Sequence, residues 1–101
     1  MKARRLVVTP QAQRDIAATV EWYRSELGPA AAAKVLRTLR AGLVAATRID
    51  EAAARRTDLP EGYYRVVAKA HLVVFQVVGS EARVIRVVHG ARDLPHLLGD
   101  S

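Results

Sequence analysis

Leu72-Val73-Val74-Phe75-Gln76-Val77-Val78 runs into Gly79-Ser80, then, two residues on, into Arg83-Val84-Ile85-Arg86-Val87-Val88 and His89-Gly90. The first run is almost continuously apolar and β-branched, which is how a strand buried on both faces reads. Gly79-Ser80 supplies the two-residue turn of a hairpin, because glycine takes the positive φ such turns need. The second run is again β-rich and stops at His89-Gly90, where glycine releases the chain from the sheet. These two strands form a rigid centre, and His89, Arg92 and Asp93 leave from its end. Polar groups held at the rim of a rigid sheet are common sites of function. By the two-residue period of a strand, Arg83 and Arg86 point to opposite faces, and Arg83 shares the face of His89. His71, just ahead of the first run, reads as a turn residue.

Outward from this centre, Leu6-Val7-Val8 is a short strand. Thr9 is placed as a helix N-cap with Pro10 at the first helical position. Ala12, Ile16, Val20, Tyr23 and Leu27 then recur at three- and four-residue spacing, with Thr19 beside them, and form one helix face. Trp22 lies off that stripe. Gly28-Pro29 stops the first helix and starts a second, so the pair forms an antiparallel hairpin. Ala32, Val35, Leu36, Leu39, Leu43 and Ala46 make the second apolar stripe, with Lys34, Arg37 and Ala41 opposite. Gly42 costs this helix about 1 kcal/mol relative to alanine. Asp50 to Arg56 either extends the second helix or forms a short one. Leu59-Pro60-Glu61-Gly62 is a turn. In the strand that follows, Tyr64, Val66 and Ala68 take one face and Tyr63, Arg65, Val67 and Lys69 the other. The order strand, helix, helix, three strands predicts an α+β architecture: a three-stranded meander in an antiparallel sheet, with the helical hairpin on one face.

The chain has 101 residues, half of them hydrophobic, which suits one globular domain over 1–101. It has no cysteine, so a disulfide framework and a thiolate metal site are excluded. No apolar run approaches the ~20 residues of a membrane span, and a cytoplasmic location is expected. The net charge is +6, with arginine far outnumbering lysine. That balance favours nucleic acid or an acidic protein as partner.

Catalysis by a ribonuclease of this size needs a general base, a general acid and cations around the scissile phosphate. His71, His89, His96, Arg65, Arg83, Arg86, Glu61 and Glu81 are the available groups, and they form no clear acid–base pair. Asp50 and Glu51 are adjacent and cannot converge as a pair on a helix face. No metal-ligand spacing, phosphate-binding glycine loop or nucleophile elbow is present, so neither cofactor nor metal is expected.

Arg86-Val87-Val88-His89-Gly90-Ala91-Arg92-Asp93 resembles the C-terminal signature of the ParE toxins, in the ParE/RelE superfamily of bacterial type II toxin–antitoxin systems. Val7-Val8-Thr9-Pro10-Gln11-Ala12 with Asp15-Ile16 resembles that family's first strand and helix start. Glu21-Trp22-Tyr23 with Leu27-Gly28 resembles the end of the helix, and Leu59 to Arg65 the start of the second strand. The resemblance implies a RelE/ParE-like fold and a toxin that poisons DNA gyrase without catalysing a reaction. It also implies a ParD-like antitoxin, through which alone the toxin reaches operator DNA, and no membrane partner. Arg65, Arg83, His89, Arg92 and Asp93 are the expected target-binding residues, with Asp93 holding Arg92. Trp22, Arg37, Arg40 and Val44 are the expected antitoxin-binding residues. Two alternatives stand beside this: a RelE-like ribosome-dependent messenger-RNA endonuclease, and a non-toxic antitoxin-binding co-repressor. Against the endonuclease, the tail after His89 has no tyrosine, and His71-Leu72 stands where the nucleases frequently have arginine.

Overall fold

The computed structural model describes residues 3–50 and 59–90. Its elements are β1 (Arg5–Val8), α1 (Pro10–Leu27), α2 (Pro29–Arg48), β2 (Tyr63–Ala68), β3 (His71–Val78) and β4 (Glu81–His89). The four strands form one sheet in the order β1-β4-β3-β2. The meander β2-β3-β4 is antiparallel, as expected, but β1 pairs parallel to β4, so the sheet is mixed and not wholly antiparallel. The helical hairpin between β1 and the meander carries the chain back, so the first strand joins the sheet in the same direction as the last.

Local chemistry sets the helix ends. The Thr9 hydroxyl accepts from the Ala12 backbone N–H at 3.3 Å and donates to the Val84 carbonyl at 2.8 Å. One side chain therefore caps α1 and ties its start to β4. Gly28 ends α1 with φ +95° and its N–H bonds the Arg24 carbonyl at 3.0 Å, and Pro29 begins α2 at once. The second helix ends at Arg48, with Ile49 extended, so it does not run on through Asp50. Residues 51–56 lie outside the described residues.

The hairpin packs on one sheet face. Ala12, Val35, Leu39 and Ala46 meet Val73, Phe75, Ala82, Val84 and Val87 there. Gly42 is buried at the closest approach: a Cβ added to it would stand 3.0 Å from the Ala68 Cβ and 3.1 Å from Val73 Cγ2. The opposite face carries a second cluster of Leu59, Leu72, Val74 and Val88. Residues Val73, Val74 and Phe75 of β3 are fully buried, because neighbours in sequence point into different clusters.

Two expectations need correction. His71 is not a turn residue: it opens β3, pairs with Ala68 and His89, and is 2% exposed. The turn is Lys69-Ala70, with Lys69 at φ +55°. Leu27 is not core either. It lies at the last position of α1 and is 61% exposed.

The third departure is in β4. Val84 lies opposite Phe75 and Arg86 opposite Val74, so Ile85 is an extra residue, a β-bulge. It falls where β1 ends, since β1 pairs β4 only as far as Val8 with Val84. From there the start of α1 serves that edge of β4. The Thr9 N–H donates to the Val84 carbonyl at 3.1 Å, and the Val87 N–H donates to Asp15 Oδ2 at 2.9 Å. Asp15 also receives Arg86 Nε at 2.8 Å.

Candidate partner-binding groove

The bulge redistributes the expected target-binding residues. Arg83 pairs with Gln76 and His89 with His71. Gln76 and His71 are five residues apart on an unbroken strand and therefore face opposite ways. The expectation that Arg83 shares a face with His89 is overturned, because the inserted Ile85 breaks the two-residue period. Arg65 lies opposite Val74 and so joins Arg83 on the face away from the hairpin. His89 turns instead to the hairpin side. Arg92 and Asp93 lie outside the described residues.

On the far face the cations are mostly tied down. Glu81 binds both Arg5 and, at 3.0 Å, Arg83. Hydrogen bonds from Arg5 and then Arg83 hold the Glu81 carboxyl below its ordinary pKa. Arg86 is fixed to Asp15, and that hydrogen bond raises its own pKa. Arg65 has no ion-pair partner among the described residues.

On the hairpin side, His89 meets an unforeseen set. Four rings follow one another: Trp22 to Tyr23 at 5.3 Å, Tyr23 to His71 at 6.0 Å, and His71 to His89 at 5.1 Å. The Trp22–Tyr23 and His71–His89 contacts are edge-on, the arrangement favoured by ring quadrupoles. These rings, with Leu27 and Thr19, line a cleft of about 610 Å³ between α1 and the ends of β3 and β4. Trp22 stays 56% exposed on its wall, as its off-stripe position implied. Burial, and then the charge of His89 beside it, push the His71 imidazole below the usual histidine pKa.

The cleft continues past His71. A second cavity shares Tyr23 and His71 with it and adds Lys34 and Lys69. A third shares Thr38 and Lys69 with the second and reaches Arg37 beside Gly42 and Val67. The three cavities adjoin in series, sharing walls at Tyr23, His71, Thr38 and Lys69, and trace a groove from the apolar end at Trp22, past the Lys69-Ala70 turn, to the cationic flank of α2. Among the described residues, no carboxylate lines any part of it. Two of the expected antitoxin-binding residues, Trp22 and Arg37, thus line the two ends of this series of adjoining cavities. Arg40 and Val44 stand on the exposed side of α2, off the groove itself, with Val44 51% exposed. Sequence reading missed Tyr23, Lys34, Lys69 and His71 as members. Tyr23 sits on the core stripe, and nothing in its spacing marks a groove wall.

The described residues contain no group of three or more His, Asp or Glu placed to hold a metal ion. Among them no helix is long and apolar enough to cross a membrane.

A two-helix hairpin on one face of a small mixed sheet, with an open groove at its end, defines a protein of the RelE/ParE-like fold class. The sequence matches the family model described as ParE toxin of type II toxin-antitoxin system, parDE, over residues 6–94. This chain belongs to the ParE toxin family. Among solved structures it is similar to a chain described as "Chromosomal ParDE TA system from P. aeruginosa", with TM-score 0.77 and 20% identity. That match covers 88% of this chain and 98% of the other, and at this identity it speaks for the fold. No curated relative matches in sequence.

Proposed function

We propose that this protein is a gyrase-inhibiting toxin that acts by binding and is neutralised by a ParD-like antitoxin lying along the groove. The observation that carries the antitoxin placement is the groove's polarity: aromatic at Trp22, cationic at Lys34, Lys69 and Arg37, and free of carboxylates among the described residues. An amphipathic acidic segment fits it, with an apolar anchor at one end and carboxylates at the other. The structural neighbour is a ParDE system, which agrees with a ParD-type partner. Operator DNA is then reached through that partner.

Inhibition without catalysis is supported by the state of the far face. A nuclease needs cations free to meet a phosphate in the transition state. Here Arg83 and Arg86 are each held by a carboxylate, and among the described residues no acid–base pair accompanies Arg65. The target surface is assigned to the sheet rim at His89 and the segment after it, including Arg92 and Asp93, with Arg65 and Arg83 on the opposite face as secondary contacts.

The deciding experiment sets the pure protein against gyrase supercoiling and, in parallel, against message bound to ribosomes. Loss of supercoiling with intact message is the expected result, and cleaved message would establish the endonuclease instead. Inactivity in both assays, with antitoxin binding retained, would leave the co-repressor. A chain ending at Gly90 keeps every sheet contact of the described residues, including that from the Gly90 N–H to the Ala70 carbonyl at 2.8 Å. It should bind antitoxin yet no longer inhibit gyrase. Full toxicity of that chain would remove the tail from the target surface.

A further inference from the structure

His71 and His89 form a cross-strand pair at the apolar end of the groove, directly opposite each other and in ring contact. Among the described residues, the titratable and charged groups facing His71 are Tyr23 from α1, Lys34 from α2, Lys69 from the turn before β3, and His89 from β4. None is a carboxylate. The His71 imidazole has no hydrogen-bond partner among the described residues. No side-chain nitrogen among them is both sealed from solvent and unpartnered, so the His71 ring nitrogens keep a trace of exposure at the groove wall. His89 is exposed and meets solvent when the groove is empty, and it loses that solvent when the groove is filled, beside a His71 that is already 2% exposed.

We propose, resting on the docking role given to the groove above, that this histidine pair makes docking proton-sensitive: an uncharged apolar anchor is held at neutral pH and released as pH falls through the histidine range. An occupant at the Trp22 end strips water from the exposed His89 ring, beside the already buried His71. A charged imidazole left there without an anion is strongly disfavoured, and Lys34 and Lys69 nearby add repulsion. The empty groove takes up a proton more readily than the filled groove, so affinity drops as pH falls. The partner's carboxylates belong at the Lys34–Arg37 stretch, and its segment against the histidines is apolar.

Nile red, a neutral polarity-sensitive dye, serves as the probe, titrated into the full chain at about pH 7.5 and about pH 5.5, on either side of the ordinary histidine pKa. Trp22 is the chain's one tryptophan, so its emission reports occupancy directly. The expected result is a dissociation constant at least about threefold higher at the lower pH. Trp22→Ala should abolish binding at both values. His89→Gln, at an exposed position, should move the midpoint of the pH dependence. Equal or tighter binding at the lower pH overturns the inference, as does an unmoved midpoint in His89→Gln. If the dye fails to bind at neutral pH, or binds Trp22→Ala unchanged, the groove is no docking surface and the antitoxin placement falls with it.

Discussion

Trp22 and Gly42 show how one residue sets a surface or a spacing. Trp22 keeps more than half its surface exposed while its ring rests edge-on against Tyr23, so it is braced without being core. Aromatic anchors of this kind contribute about 2 kcal/mol or more at interfaces. Trp22→Ala should weaken antitoxin binding by that order while the melting curve stays put, as titration calorimetry and thermal denaturation will measure. Unchanged affinity would remove Trp22 from the interface. Gly42 presents the opposite case. By helix propensity alone, alanine would stabilise α2 by about 1 kcal/mol. The positions of Ala68 and Val73, 3.0 and 3.1 Å from the added Cβ, decide otherwise. Both are buried core residues with little room to yield. Overpacking of this kind costs about 1–3 kcal/mol, so Gly42→Ala should lower the denaturation midpoint, and a raised midpoint would show that the helix can move off the sheet.

At the scale of elements, the weak point of the sheet is the β4 edge beyond Val84, where β1 has ended. An uncovered edge presents unpaired N–H and C=O groups. The start of α1 answers this with side chains: Thr9 reaches the Val84 and Ile85 carbonyls, and Asp15 takes the Val87 N–H together with Arg86. Asp15 therefore does a strand's work from a helix. Its removal orphans a backbone donor and loosens a half-buried guanidinium. Asp15→Ala should cost about 2–3 kcal/mol, below the 3–5 of a fully buried pair because the Arg86 side chain is still 23% exposed. Urea denaturation measures it. A loss under about 0.5 kcal/mol, the level of an ordinary surface substitution, would show that the edge is held by other contacts.

For the whole molecule, His71 ties stability to pH. Its imidazole titrates below the usual histidine value in the folded protein, first through burial and then through His89. As pH falls below the unfolded histidine pKa of about 6.5, the unfolded chain takes up a proton that the folded chain resists. The stability present above that pH is lost on the way down. The urea midpoint should be lower at about pH 5.5 than at about pH 7.5, still above the carboxylate range. An equal or higher midpoint at the lower pH would mean that His71 is charged and partnered in the fold.

Much of this was legible in the chain itself. Alternating and 3.6-residue apolar patterns marked the strands and the hairpin, Thr9-Pro10 and Gly28-Pro29 marked the helix ends, and Gly79-Ser80 the turn. These signals depend on neighbours in sequence, so they survive without a tertiary context. Trp22 was legible as exposed for the same reason. The parallel seat of β1 and the bulge at Ile85 were not. Counted out from the Val78–Glu81 pair, an unbroken register sets His71 opposite Val88, and the bulge moves it to His89. Nothing local to Ile85 marks it, because the bulge lies where α1, over 60 positions away in sequence, takes over the edge of β4. That one inserted residue sends Arg83 and His89 to opposite faces and brings His89 into the groove of Trp22. The chain determined its elements by local chemistry, and the packing of α1 against β4 decided which side chains share a surface.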